Sequence, residues 1–238
     1  KDDNKYLLLA TKNGIVKKTH ISEFKNLRKN GLIAISLKEG DELLKVKNTY
    51  GDANIIMVTQ NGYAVKFNEQ DVRPMGRTAS GVKAISLSDD DMAVCMDIAV
   101  DEEDLLVVSE NGFGKRTPIS EYKIQNRGGK GLLTYKINDK TGKLIGATMC
   151  KAEDELMMIN TSGIAIRINV DDVSVSGRAT MGVRLMRTSE DEKVVAIAKI
   201  TGTSDNENEE QLTLEACADN AIDSDDKDTS LDRLVQEA

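Results

Sequence analysis

A turn glycine returns about every fifty residues along this chain: Gly14, Gly62, Gly112 and Gly163, in Asn13-Gly14, Asn61-Gly62, Asn111-Gly112 and Ser162-Gly163. A second glycine trails each one, at Gly31, Gly81, Gly131 and Gly182; the gap is 17 residues in the first repeat and 19 in the other three. A repeat of this length means that one supersecondary unit has been copied and arrayed, as in a propeller or a solenoid. One such unit cannot bury a core alone. Shared function is therefore sought where every copy carries the same chemistry.

Each unit reads as four short strands. In the third repeat they fall at residues 104–109, 113–117, 131–137 and 144–150. Leu105-Leu106-Val107-Val108 is an apolar, partly β-branched run that ends at Glu110-Asn111-Gly112. Asn-Gly accepts the positive φ angles of a type I′ hairpin turn. Sixteen strands at this spacing favour an all-β array of four-stranded blades over a sandwich, each blade covering its neighbour's face. Tryptophan is absent and only two prolines occur, so the signature dipeptide of WD-type propellers is missing. The blades are expected at about 5–52, 53–103, 104–154 and 155–202. They alternate in character. Lys17-Lys18-Thr19-His20-Ile21-Ser22-Glu23-Phe24 matches Lys115-Arg116-Thr117-Pro118-Ile119-Ser120-Glu121-Tyr122, whereas residues 76–82 match 177–183.

Charge divides the chain. Residues 203–238 hold 12 acids and 2 bases, leaving 28 acids and 30 bases in residues 1–202. A slightly basic body thus precedes an acidic tail that is expected to be disordered. A tail of net −10 tethered beside cations is expected to compete with a polyanion for them. Residues 231–235 have helix-like apolar spacing but are too few for a stable isolated helix. Cys95, Cys150 and Cys217 are far apart and form neither a disulfide framework nor a zinc spacing. No apolar run approaches the length of a membrane span, and no signal peptide precedes the first strand. The numbering starts at Lys1 beside a strand-like segment, which reads as the start of a fragment or a processed chain.

The chemistry that phases with the repeat is cationic. Four residues after each turn glycine stand Lys18, Lys66, Arg116 and Arg167, and one residue after it stand the apolar Ile15, Tyr63, Phe113 and Ile164. On a strand these positions face opposite ways, so the apolar one is expected inside the blade and the cation outside. Four residues before the second glycine stand Leu27 (with Arg28 beside it), Arg77, Arg127 and Arg178. With Lys17 and Lys115, these residues are expected to form a basic rim. Such a rim suits the phosphates of bent duplex DNA, whose counterions the cations displace. Within the third repeat, Gln125-Asn126-Arg127-Gly128-Gly129-Lys130-Gly131 reads as a phosphate cradle: two glycines free backbone N–H groups to face an anion, between two cations. It lacks the Walker spacing. The acidic runs Asp89-Asp90-Asp91 and Glu102-Glu103 read as solvated turns, the lone His20 has no metal spacing, and the five tyrosines read as core or edge residues.

These residues resemble the C-terminal domain of the DNA gyrase A subunit, which is a β-pinwheel of about six blades with the signature box Gln-basic-Arg-Gly-Gly-basic-Gly. Residues 125–131 fit that box except at Asn126, and 17–19, 115–117, 76–82 and 177–183 resemble its blade motifs, over roughly residues 5–200. The resemblance implies a β-pinwheel over 1–202 that begins after two blades. It implies a non-enzymatic module that wraps largely sequence-independent double-stranded DNA. The catalytic tyrosine would lie elsewhere in the gyrase A polypeptide, and ATP and Mg²⁺ outside this chain in an A2B2 holoenzyme with gyrase B. That holoenzyme is a type II topoisomerase of the bacterial cytoplasm that introduces negative supercoils. The corresponding domain of topoisomerase IV is the near alternative. A protein-interaction propeller is the alternative of another class, though its aromatic loop anchors are scarce at 3% aromatic residues.

Overall fold

The computed structural model describes residues 4–26, 29–189 and 191–201. Arg28 and the whole of the expected acidic tail, including residues 231–235, lie outside the described residues. The described strands, in chain order, are β1 (Tyr6–Thr11), β2 (Ile15–His20), β3 (Leu43–Thr49), β4 (Asn54–Thr59), β5 (Tyr63–Asn68), β6 (Val82–Lys83), β7 (Ala93–Ile98), β8 (Asp104–Ser109), β9 (Phe113–Pro118), β10 (Leu132–Leu133), β11 (Leu144–Cys150), β12 (Glu155–Asn160), β13 (Ala165–Asn169), β14 (Val183–Arg184) and β15 (Val194–Ile200). Short 3₁₀ turns follow β2, β5, β9 and β13. The strands form four antiparallel sheets, ordered β3-β1-β2-β6, β7-β4-β5-β10, β11-β8-β9-β14 and β15-β12-β13. The described residues thus form an all-β, propeller-like array of blades.

The central strand of a blade is apolar on both faces because both faces meet neighbours. Ile55 and Met57 pack with Leu8, Ala10 and Val16 of the first blade. Their chain neighbours Ile56 and Val58 pack on the other side with Leu105 and Val107 of the third. Leu106 and Val108 continue the pattern against Leu156 and Met158 of the fourth. Each such buried side chain stabilises the array by about 1.5–3 kcal/mol.

Sheet membership departs from the expectation of one repeat per blade. The strand after the second glycine leaves its own repeat and pairs with the blade before it. β6 of the second repeat joins β2, β10 of the third joins β5, and β14 of the fourth joins β9. The fourth sheet accordingly has three strands, and among the described residues there are fifteen strands rather than sixteen. The donated strand is also short, Leu132–Leu133 rather than 131–137, because Thr134 N–H and Tyr135 N–H both turn to the carbonyl of Gly62, at 2.8 and 3.1 Å.

The two glycines that mark the repeat are the two sides of this exchange. Gly62 has φ +82°, and a Cβ there would lie within 3.0 Å of Tyr135 O on the incoming strand. Gly131 has φ +81°, and its Cβ would meet Ala64 O just as closely. The hairpin turn is not type I′. Among the described non-glycine residues only Glu102 has positive φ, so Asn61 keeps a negative one, and within this turn Gly62 alone is left-handed. With Gly62 N–H bonded to Thr59 O at 3.0 Å, the turn is a type I turn closed by a glycine bulge. The bulge carries the close contact that the donated strand needs.

Gly131→Ala should therefore destabilise the chain by about 2–4 kcal/mol, from left-handed strain plus overpacking. Gly129→Ala, whose Cβ would meet nothing nearer than Asn126 O at 3.9 Å, should stay within about 0.5 kcal/mol. Urea unfolding of both variants checks the contrast.

Candidate nucleic-acid interface

The cations four residues after the turn glycine do not point out. Lys18, Lys66 and Arg116 are all buried, and each donates to the first turn of the next repeat. Lys18 Nζ donates to Glu69 O at 2.8 Å and lies 3.8 Å from the Glu69 carboxylate. Lys66 Nζ donates to Ile119 O at 3.2 Å. Arg116 donates through Nε to Val173 O at 2.8 Å and through its NH2 nitrogen to Asp171 O at 3.2 Å. Strand parity misled because a blade has no outward face: the side opposite the apolar one meets the connector of the following repeat. Only Arg167, with no further sheet after it among the described residues, is exposed, and it pairs with Glu155. Glu69 is fully buried and accepts from Thr49 Oγ1, Gly51 N and Ala53 N at 2.7, 3.0 and 2.8 Å, so the Lys18 latch holds a carboxylate that itself ties two repeats together.

Lys17 and Lys115 are also buried, against the expectation of rim cations, and they have a different target. Lys17 Nζ donates to Arg77 O at 2.5 Å and to Ala34 O. Lys115 Nζ donates to Gly177 O and Arg178 O, both at 2.5 Å, and to Thr180 Oγ1 at 3.1 Å. Each ammonium thus pins the outer loop of the next repeat from below. Burial is the main force on both amines and pushes their pKa down to about 8. The nearby guanidinium, Arg77 or Arg178, pushes the same way, while Glu23 or Glu121 opposes it.

In the third repeat the loop 125–131 is pinned otherwise, since Val65 stands where Lys17 and Lys115 stand in the alternate blades. Arg127 turns inward, donating from Nε to Asp71 O at 2.9 Å and from its NH1 nitrogen to Lys83 O at 3.0 Å. Gly128 N–H is taken by Ala84 O at 2.6 Å, so it does not face an anion as a phosphate cradle would require. Ser86 completes the tie, N–H to Gly129 O and hydroxyl to Gly128 O, at 2.8 and 2.7 Å. Gln125 N–H bonds Lys66 O at 2.7 Å. Asn126, Gly129 and Lys130 are exposed, and Lys130 Nζ rests 4.7 Å from the Tyr63 ring centre. Arg77 and Arg178 are half-buried like Arg127; Arg77 donates to Ile33 O at 3.3 Å, and Arg178 lies 4.0 Å from Glu121.

Exposed cations do surround these loops, at repeat positions other than the two singled out from the sequence: Arg73, Lys83, Lys123, Lys136, Arg184 and Arg187. The signal was present at other distances from the second glycine. Eight residues before it stand Arg73 and Lys123, two after it Lys83 and Arg184, and five after it Lys136 and Arg187. Lys136 N–H bonds Thr180 O at 3.1 Å, which sets that cation against the loop of the following repeat. Elsewhere, Asp91 caps a turn through Asn61 N–H and Met92 N–H, both at 2.9 Å, and His20 Nδ1 caps the first 3₁₀ turn. Tyr122 and Tyr135 are core residues, Tyr6 and Tyr63 are half-buried, and Tyr50 is exposed.

The buried cations can be ranked by substitution. Arg116→Ala leaves the buried Val173 carbonyl and the half-buried Asp104 carboxylate without their partner and should cost about 3 kcal/mol, whereas Lys66→Met, with one long bond, should cost about 1 kcal/mol; denaturant melts rank them. They also set a pH dependence. Lys17 and Lys115 have folded pKa values of about 8 against 10.5 when free, so above pH 8 the unfolded chain holds more protons and stability rises with pH. From pH 9 the thiols of Cys95 and Cys150, raised from 9.0 to about 12 by burial, act in the opposite sense. Stability should therefore climb between pH 8 and 9, and Lys115→Met should flatten that climb.

Comparison with known proteins agrees with this architecture. The family model for the DNA gyrase C-terminal domain, a β-propeller, matches residues 5–49, 53–94, 103–151 and 154–201. The gyrase A protein of Clostridium acetobutylicum is 65% identical over 199 residues, covering 84% of this chain and 24% of that protein. Its Staphylococcus aureus counterpart is 42% identical over 212 residues, covering 88% and 24%. The chain thus spans about a quarter of the length of the curated relatives it matches. The solved C-terminal domain of DNA gyrase A superposes with a TM-score of 0.75 at 29% identity, over 83% of this chain and 66% of that one. The C-terminal domain of DNA topoisomerase IV gives 0.80 at 27% identity, over 84% and 62%. With four matched segments spanning most of the described strands, the chain belongs to the DNA gyrase C-terminal domain family of β-propellers.

Proposed function

We propose that this chain is the DNA-wrapping part of gyrase A. It bends duplex DNA around its outer loops so that an ATP-dependent type II topoisomerase can introduce negative supercoils. One observation carries this reading. In three successive repeats the same outer loop is pinned rigidly, by Lys17, Arg127 or Lys115, while lysines and arginines around it stay exposed. Rigid loops bearing cations at the repeat spacing suit a polyanion that must follow a fixed curve. The phosphate contacts assigned to this surface are Lys130, Arg73, Lys83, Lys123, Lys136, Arg184 and Arg187, with the half-exposed Arg77 and Arg178 beside them. Lys17, Lys18, Lys66, Lys115 and Arg116 act beneath it, and Arg127 holds the box in shape.

Such contacts fix position and carry no base sequence, so binding is largely sequence-independent. The chain supplies wrapping, while the remainder of gyrase A, together with gyrase B, supplies strand passage with ATP and Mg²⁺, in an A2B2 assembly in the bacterial cytoplasm. The topoisomerase IV domain shares the fold. The intact Gly128-Gly129 pair favours gyrase, as does the 65% identity to a gyrase A protein.

A topology assay tests the proposal. The chain is bound to nicked plasmid, the nick is ligated, protein is removed and the linking-number distribution is read across a salt series. A shift of one sign that fades with salt is expected. Absence of binding at low salt overturns the DNA reading, and binding without a shift overturns wrapping by this chain.

A further inference from the structure

The outer loops carry a second repeat-phased feature that is not cationic. Seven residues before the second glycine stand Pro74, Ile124 and Val175 in successive repeats. All three are exposed, Ile124 at 59% and Val175 at 53%. A single exposed apolar side chain is ordinary on any protein surface. Three at one repeat position are not scattered in that sense, and their backbone is unusually fixed. Each sits in a parallel bridge with a buried latch cation: Pro74 with Lys18, Ile124 with Lys66 and Val175 with Arg116. The following amide locks each bridge, Met75 N–H to Lys18 O, Gln125 N–H to Lys66 O and Ser176 N–H to Arg116 O, at 2.8, 2.7 and 2.9 Å. Proline and β-branched side chains add stiffness, so these groups cannot fold back out of water.

Charge says what covers them. Each lies three residues before the loop arginine, Arg77, Arg127 or Arg178, and Arg73 and Lys123 immediately precede the first two. A duplex held by its phosphates at such cations brings its deoxyribose faces next to whatever stands between them. From these observations we propose that Pro74, Ile124 and Val175 form an apolar contact row that packs against the sugars of a bent duplex. The proposal rests on the DNA-wrapping reading above. Proteins that bend DNA commonly add apolar contacts to their cations. These side chains are short and fixed at a sheet edge, which suits contact with a groove wall rather than entry between base pairs.

The test uses the full chain with Ile124→Ser and Val175→Ser combined. Both side chains are exposed, so the melting transition should not move; Ile124→Thr with Val175→Thr, which keeps β-branching, serves as a second pair. Affinity for linear duplex is measured across a salt series, alongside the linking-number shift. The expected result is an affinity loss of about tenfold at every salt concentration, from lost apolar burial. The slope of log affinity against log salt should stay unchanged, because no ionic contact is removed, and the linking-number shift should shrink. Lys130→Ala should instead reduce the slope by about one. Unchanged affinity and unchanged shift, in a chain whose parent binds and wraps, overturn the apolar row and leave the DNA reading intact. A slope that falls with the affinity also overturns it, since cations are then the cause. A parent chain that binds no DNA overturns the wrapping function itself, and the apolar row with it.

Discussion

The structure depends on one exchange of backbone hydrogen bonds: the strand that follows each second glycine closes the blade before it, not its own. Thr134 N–H on Gly62 O, Ala84 N–H on Gly14 O and Leu185 N–H on Gly112 O repeat the same 2.8 Å contact at three junctions. A blade completed by its successor cannot form its outer edge alone. Folding of one repeat is thereby coupled to folding of the next, beyond the nearest-neighbour face packing common to arrayed repeats. The glycine spacing is the trace of this arrangement, since at all three junctions both glycines sit where two chain segments cross too closely for a Cβ, while Gly31 and Gly163, which serve no junction, meet nothing within 4 Å.

The same dependence explains where the basic residues went. Once the following repeat covers a blade's outer strand, a cation on that strand has carbonyls rather than water around it. Lys18, Lys66 and Arg116 hold the connector, and Lys17 and Lys115 hold the loop. A buried ammonium is tolerated when it meets several acceptors, and removing it leaves them unpaired. The outer surface is then left to loop and edge residues, whose geometry the buried layer sets.

Much of this was legible in the sequence, and the failures share a cause. Period, strand content, blade alternation and the box all follow from local spacing, and the family resemblance rests on the same residues. Sheet membership was not legible, because a pairing such as Leu132 with Ala64, far apart in the chain, leaves no mark on the local pattern of residues 131–137. The burial of Lys66 was not legible either, because alternation tells opposite faces apart but not which of them meets protein. Arg127 looked like a ligand for phosphate since nothing local announces Asp71 O and Lys83 O as its acceptors. The exposed Lys83, Lys136, Arg184 and Arg187 are harder to find because each of their two repeat positions is basic in only two of the last three copies, Leu133 and Ser86 standing in the others.

The alternation of loop supports has an evolutionary consequence. Lys17 and Lys115 fit a following loop of the kind at 76–81 and 177–182, whereas Val65 precedes a loop that is tied by its own Arg127. Deleting or duplicating one repeat would set a buried lysine beneath a loop already closed by arginine, or leave the other kind of loop with no cation beneath it. Gain and loss of length by recombination in this lineage should therefore proceed most readily by two repeats at a time, with the pair as the heritable unit of its architecture.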